Sequence, residues 1–457
     1  MPSPRVSAVD SEGDTTKRSG HAALEEEWEH GPVPGHARKG LATVGLAWLG
    51  FPMIVTGAVA GTLLVAGLGF TGGMLAILAG NLVLFAYVGG LSGLAARSGL
   101  NFALLMRTTL GAQGGRVASG VMATVVVGWF AVQTGLTAES LHAAFGWNLV
   151  AMSVVSGLLY TAVTLLGMRT LSVLGAISAP MFLAFGIYAV VVAADGTSVG
   201  SIVGYEGAGG TKALTVGAAL TIVIAQFIDS GTMTPDFTRW AGSRRDAWLA
   251  TFSAFPVANG VAMVVGGFVA ASAGSESSFF ELITRSGGVV SAVAVFFLFV
   301  NLGNACSHCL YNAGMGWAQI LGTRFRPVAL VWGLLGTAIA TAGVWSQFQS
   351  WLVLLGVLVP PLGTVLLTDH LLVRRREADS RAFAITGLPD YQWAPIAAWG
   401  VGAASALAAN YLAPQLSVVM VGIVVTFAAH AGTVWFGRAS SGVLAPSVAG
   451  SGGDDGH

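Results

Sequence analysis

The chain of 457 residues is 54% hydrophobic and only 9% charged, with a mean hydropathy of +0.75. That excludes a soluble globular protein, whose charged share is nearer ~25%. A formal net charge of zero excludes the basic footprint of a nucleic-acid-binding protein, and two cysteines three residues apart, Cys306 and Cys309, exclude a disulfide scaffold.

What remains is an all-α polytopic membrane protein, in which 64 glycines fit helices that approach each other closely. Residues 1–30 carry Arg5, Asp10, Lys17, Arg18 and Glu25 to Glu27 without an apolar core of signal-peptide length, and read as a disordered cytoplasmic tail with no cleaved signal. Over 31–438, apolar runs of about 20 residues alternate with polar breaks. The pattern predicts twelve helical spans at 41–67, 71–95, 114–143, 148–168, 170–194, 213–235, 247–273, 288–320, 328–346, 348–372, 393–412 and 415–437. Residues 439–457 return to Ser, Gly and Asp and read as a second disordered tail. With the amino terminus cytoplasmic, 19 of the 21 basic residues fall inside and only Lys212 and Arg285 outside, as the positive-inside rule requires. An even count with both termini cytoplasmic follows.

Two spans are interrupted. The first carries Gly50-Phe51-Pro52 in mid-run, and the sixth carries Asp229-Ser230-Gly231 with Pro235 just beyond. An ionised Asp at mid-membrane costs roughly 2.5–3.5 kcal/mol on insertion scales, so Asp229 is expected to face a cavity, a partner or a ligand. Breaks five spans apart predict two inverted five-helix repeats, about 41–194 and 213–372, with two extra helices over 393–437 and a site where the broken helices meet.

Five stretches, in order, carry a resemblance. They are Gly31-Pro32-Val33-Pro34 with Ala37 to Gly40; Val127-Gly128-Trp129-Phe130; Phe227-Ile228 with Gly231-Thr232, Thr234 and Asp236-Phe237; Leu310-Tyr311 with Gly314 to Gly316; and Pro360 to Gly363 with Asp369 and Arg374 to Arg376. Over roughly 31–376 the chain resembles the nucleobase:cation symporter-1 family, closest to its bacterial cytosine permeases. The resemblance implies the leucine-transporter (LeuT) type of fold, alternating access, and symport of a small planar heterocycle with a cation.

Carried over position by position, it implies that Trp129 and Phe227 sandwich the substrate; aromatic faces hold a flat ring with roughly 1–3 kcal/mol per base in comparable sites. Gln133, one turn after Trp129 on the same face, matches a glutamine that contacts substrate in the related hydantoin transporter, and its amide offers both donors and acceptors. Departures cluster at the same place: Gln226 and Asp229 stand where the cytosine permeases have serines, and Cys306 where they have an asparagine. Asp229 is therefore a candidate to read the substrate, to carry a proton in place of or beside sodium, or to hold the unwound turn. A carboxylate accepts two adjacent donors, as on the amino-imino edge of guanine or a protonated aminopyrimidine. For the ion, the resemblance implies carbonyls at the first break and hydroxyls in span 8. The matching positions are Gly50 and Met53, through their carbonyls, with Asn301, Asn304 and Ala305. Ala305 stands where a hydroxyl is expected, which leaves Na+ and H+ both open.

The spans show no paired acids, nucleophile with its base, or metal cluster that would mark an enzyme, and no Walker-type loop for ATP. A channel would need repeated filter elements. In the Cys306 to Cys309 stretch, packing is favoured over a metal or redox motif. The expectation is a multi-pass plasma (inner) membrane symporter importing cytosine or a purine, with no cofactor and no obligatory protein partner beyond the bilayer. The runner-up is a carrier of another cyclic amide or pyrimidine, such as hydantoin, allantoin or a thiamine precursor.

Overall fold

The computed structural model describes residues 28–210, 213–274, 279–284 and 287–441; the segments 1–27 and 442–457, read as tails, lie outside the described residues. In chain order the helices are α1 (Leu41–Gly50), α2 (Val55–Ser98), α3 (Phe102–Leu110), α4 (Ala112–Phe145), α5 (Leu149–Thr164), α6 (Met168–Ala194) and α7 (Val199–Val203). Then follow α8 (Val216–Ala225), α9 (Ile228–Thr232), α10 (Pro235–Thr238), α11 (Arg244–Phe252), α12 (Gly260–Ala273), α13 (Phe279–Thr284) and α14 (Gly288–Leu321). The last are α15 (Phe325–Thr341), α16 (Phe348–Thr368), α17 (Asp379–Ala382), α18 (Trp393–Leu412) and α19 (Val418–Ser441).

Among the described residues, six stretches are long and apolar enough to cross a bilayer unaided. Of the remaining predicted spans, 4 and 9 are the shorter helices α5 and α15, 16 and 17 residues long, 11 and 12 are the single helices α18 and α19 of 20 and 24 residues, and spans 1 and 6 are broken. The 44-residue α2 is two arms joined at Gly69, whose φ of 72° and ψ of 174° lie outside the helical region and in a conformation that glycine adopts readily. Its first arm completes span 1 and its second is span 2.

The pairing of helices shows the repeat. Helices at matching positions of the two repeats pack on each other, α4 (span 3) on α14 (span 8) and α5 (span 4) on α15 (span 9); α2 packs on α12, and α1 packs on α6 as α8 and α9 pack on α16. The matched helices α4 and α14 are both 34 residues long. Two short helices, α3 after span 2 and α13 after span 7, occupy equivalent places; hydropathy missed both because neither is of membrane length. Helices α18 and α19 pack on each other and on α16, outside the repeats.

The described chain starts at Trp28, inside the segment read as a tail, and is already held there. The carbonyl of Trp28 accepts from Arg239 Nη1 at 2.9 Å, and that of Glu29 from Asn101 Nδ2 at 2.8 Å. Further on, Val33 N–H donates to Gly99 O, and Lys39 N–H to Trp240 O. Residues 28–40 thus join the ends of spans 2 and 6. Asp236 Oδ1 accepts the Phe102 N–H at 2.8 Å, capping α3, and Asp369 pairs with Arg374 at 2.9 Å.

At the surface Arg97 pairs with Asp379, and the Arg97 guanidinium holds that carboxyl below the usual carboxylate range. The contribution is therefore present at neutral pH and is lost as pH falls through the lowered value. The pair is exposed, so it is worth ~0.2–1 kcal/mol at most. Asp379→Asn is expected to move the melting temperature by about 2 °C or less at pH 7; a much larger drop would show that the pair anchors its loop.

Candidate substrate-binding site

Both breaks exist, and they touch. In span 1 the chain leaves α1 after Gly50, passes Phe51-Pro52-Met53 and re-enters helix at Val55 from an extended Ile54. In span 6 the break lies earlier than the sequence predicts. Phe227, at φ −130° and ψ 14°, leaves the helical region, whereas Asp229, Ser230 and Gly231 are helical within α9. The physical reason is local. Gly231 makes room for Val88, which a Cβ would meet at 2.7 Å, and Pro235 starts α10 instead of breaking a helix. Phe51 from one break and Phe227 from the other make an edge contact, 5.2 Å between centroids at 76°.

Between the breaks lies a closed cavity lined by Phe51, Ile54, Thr56, Trp129, Gln133, Gln226, Phe227, Ser230 and Cys309. About 10 Å³ of it is open to the centre of a water molecule, room for about one water. Of the predicted substrate residues, Trp129, Gln133, Gln226 and Phe227 line it. Cys306 does not. It lies one turn before Cys309 on the side facing α4, with Sγ at 3.7 Å from both Thr134 Oγ1 and Phe130 O, and is a packing residue. Asp229 is fully buried just behind the wall, with the Trp129 indole and the Ser230 N–H directed toward its carboxylate and Cys309 beside it, though no contact to either carboxylate oxygen reaches hydrogen-bond geometry. Phe51, Ile54, Thr56, Ser230 and Cys309 were not predicted. Cys309, at i+3 from Cys306, is the position the helical repeat would have offered as an alternative.

The chemistry of the wall is unusual for a membrane interior. The Trp129 Nε1, Thr56 Oγ1, Gln133 Oε1 and both amide atoms of Gln226 are buried without a hydrogen-bond partner. Each such group costs ~1–3 kcal/mol, and native proteins keep them where something else satisfies them. Rings provide the faces and amides the edges. On one side Phe348 packs on Trp129, 5.8 Å at 68°. On the other, Trp48 and His308 stack on Phe51 at 5.3 and 4.6 Å, with Phe237 beyond at 5.1 Å from His308. These stacks pack on two sides of the cavity.

The predicted ion residues come together at the first break. Asn304 Nδ2 donates to Gly50 O at 2.7 Å, and Asn301 Nδ2 to Met53 O at 2.8 Å and Ser178 Oγ at 2.9 Å. Asn301 Oδ1 accepts the Val55 N–H at 2.9 Å. Ala305 is fully buried and presents only a methyl.

The model of permeases for cytosine/purines, uracil, thiamine and allantoin matches residues 32–435. The cytosine permease of Escherichia coli is 30% identical over 381 residues, covering 83% of this chain and 89% of the permease. The hydantoin permease of Microbacterium maritypicum is 25% identical over 356 residues, 70% of this chain and 71% of that protein. Among solved structures, Mhp1, a nucleobase-cation-symport-1 family transporter, in a closed conformation with bromovinylhydantoin bound, superposes with a TM-score of 0.74. It is 19% identical and covers 93% of this chain and 97% of Mhp1.

Proposed function

The chain belongs to the family of permeases for cytosine and purines, uracil, thiamine and allantoin, the nucleobase:cation symporter-1 family, and we propose that it imports a nucleobase together with a cation by alternating access at the two touching breaks. The observation that carries this reading is the set of unpartnered amide, indole and hydroxyl groups on an aromatic-walled cavity. Stacking surfaces accept any planar ring; the polar edges choose among rings. Donors on offer are Trp129 Nε1 and Gln226 Nε2, acceptors are Gln133 Oε1 and Gln226 Oε1, and Thr56 Oγ1 serves either way. Such a wall suits a ring whose rim carries both donors (N–H or NH2) and acceptors (carbonyl or ring nitrogen), as cytosine and the oxopurines do.

The cavity as closed is too small for such a ring, so the substrate enters in a state in which one of the two aromatic stacks has moved, and the closed form is the intermediate between the two openings. The cytoplasmic location of both termini and the inner-membrane placement rest on the positive-inside count. A carrier of hydantoin-like amides shares the same pocket logic and is separated from a nucleobase carrier by the same assay. In proteoliposomes, saturable counterflow of radiolabelled cytosine, uracil, adenine, guanine or hypoxanthine is expected, with at least one base exchanging far faster than hydantoin or allantoin. Exchange of the hydantoins alone would favour the second reading, and non-saturable flux would remove the symporter altogether.

A further inference from the structure

The family resemblance implies a sodium place made of the freed carbonyls of span 1 and oxygens from span 8, and the donor set here does not fit it. A cation needs converging lone pairs. Instead, the lone pairs of Gly50 O and Met53 O meet amide protons, at 2.7 Å from Asn304 Nδ2 and 2.8 Å from Asn301 Nδ2. The amide of Asn301 cannot turn over without loss, because its Oδ1 holds the Val55 N–H and its Nδ2 also serves Ser178 Oγ. Asn304 Oδ1 has no hydrogen-bond partner, so turning that amide would give up only the Nδ2 bond to Gly50 O; Asn301 is the amide that is fixed in place. The third position, Ala305, has no side-chain oxygen. Two neutral amides thus do what a bound cation would do, holding both halves of the broken span onto α14.

At the other break stands a carboxylate with no cation to meet it. Helix α9 packs on α2, α4, α8, α14 and α16. The titratable groups these present toward it are the Tyr87 hydroxyl on α2, bonded to Thr232 Oγ1 at 2.7 Å, and the Cys309 thiol on α14, with Cys306 a turn away. His308, also on α14, turns its ring onto Phe51 and Trp48; α8 and α16 carry no ionisable side chain, and those of α4, Arg116, Glu139 and His142, stand toward its two ends. An unpaired buried charge is costly, and a proton removes it.

The geometry points to a transporter in which the amides of Asn301 and Asn304 occupy the sodium place and the coupling cation is a proton carried by Asp229. The proton adds to one Asp229 carboxylate oxygen from the outside, travels with the substrate, and leaves to the inside, so one positive charge moves inward with each neutral heterocycle. This rests on the nucleobase-symport reading above, and the experiment separates the two.

Equilibrium binding of radioactive sodium to the purified full-length protein needs no substrate: no saturable binding is expected, and about one saturable site per chain overturns the inference whatever the substrate proves to be. In proteoliposomes, with whichever of the five bases shows counterflow, an inside-alkaline gradient of one pH unit is expected to drive about tenfold accumulation at one proton per substrate. Addition of that base is expected to acidify the lumen, and choline in place of sodium to change nothing. Accumulation that requires sodium overturns the proposal; absence of counterflow with every base removes the symport reading while the sodium-binding result still stands. Asp229→Asn is expected to bind the base, read by thermal shift, yet no longer to acidify the lumen. Acidification as in the parent, or loss of binding, removes Asp229 as the carrier. The double substitution Asn304→Ser with Ala305→Ser, which restores two hydroxyls, is expected to introduce sodium binding that the parent lacks.

Discussion

Leucine in place of Gly61 or Gly266 is expected to leave almost no folded transporter. A Cβ on Gly61 would fall on the carbonyl of Met263, and one on Gly266 on the carbonyl of Ala58. Backbone therefore runs against backbone where α2 crosses α12, and Thr62 Oγ1 adds a hydrogen bond to Gly266 O at 3.0 Å. Helices in a bilayer gain little from hydrophobic exclusion of each other and depend on such close approach. A clash with main chain cannot be relieved by a rotamer change, so the cost should reach or exceed the ~1–3 kcal/mol typical of overpacking. The crossing also joins one repeat to the other, so its loss would separate the two halves of the site. The readout is the yield of monodisperse protein in detergent, with Gly400→Leu as the control, because a Cβ at Gly400 meets nothing within 4 Å. Protein of parental yield and melting temperature carrying leucine at Gly61 would show that the crossing is looser than described.

Trp129→Ala and Phe227→Ala are each expected to raise the apparent substrate constant tenfold or more. Each ring lines the cavity and is nearly fully buried, at 3% exposure, and a lost stacking face is worth ~1–3 kcal/mol per base. Neither ring owes its place to the other: Trp129 rests on Phe348, and Phe227 on Phe51 and Phe255. Trp129→Phe keeps a face and should recover part of the loss, which separates stacking from simple cavity formation. Unchanged substrate constants in folded alanine variants would take the rings out of the site.

Much of this architecture is legible in the sequence because membrane helices declare themselves by length and hydropathy, and span 8, predicted at 288–320, forms a helix over Gly288–Leu321. The break at Gly50 to Pro52 is legible because glycine and proline interrupt an otherwise apolar run. The break of span 6 is displaced to Phe227 because the signals used to place it, Gly231 and Pro235, serve packing and helix initiation instead. The cavity wall is half legible. Trp129, Gln133, Gln226 and Phe227 stand out as polar or aromatic residues in apolar spans, whereas Ile54 and Thr56 look like ordinary membrane residues until the unwound turn aims them inward. Cys306 and Cys309 differ by one turn, and only packing against α4 decides which one faces the cavity. The amide caps on Gly50 and Met53 could not be read at all, since they depend on which atom of each asparagine meets which carbonyl across 248 to 254 residues of chain.

The central claim is that the heterocycle binds where the two breaks meet. It is tested most directly by determining the structure with a saturating concentration of the base that exchanges fastest. The predicted result is the ring lying between Trp129 and Phe227, with its edges within hydrogen-bonding reach of Gln133 or Gln226. Density for the base in another cavity, such as the 540 Å³ apolar groove beside Tyr87, Thr364 and Phe427, with none between those two rings, would contradict it.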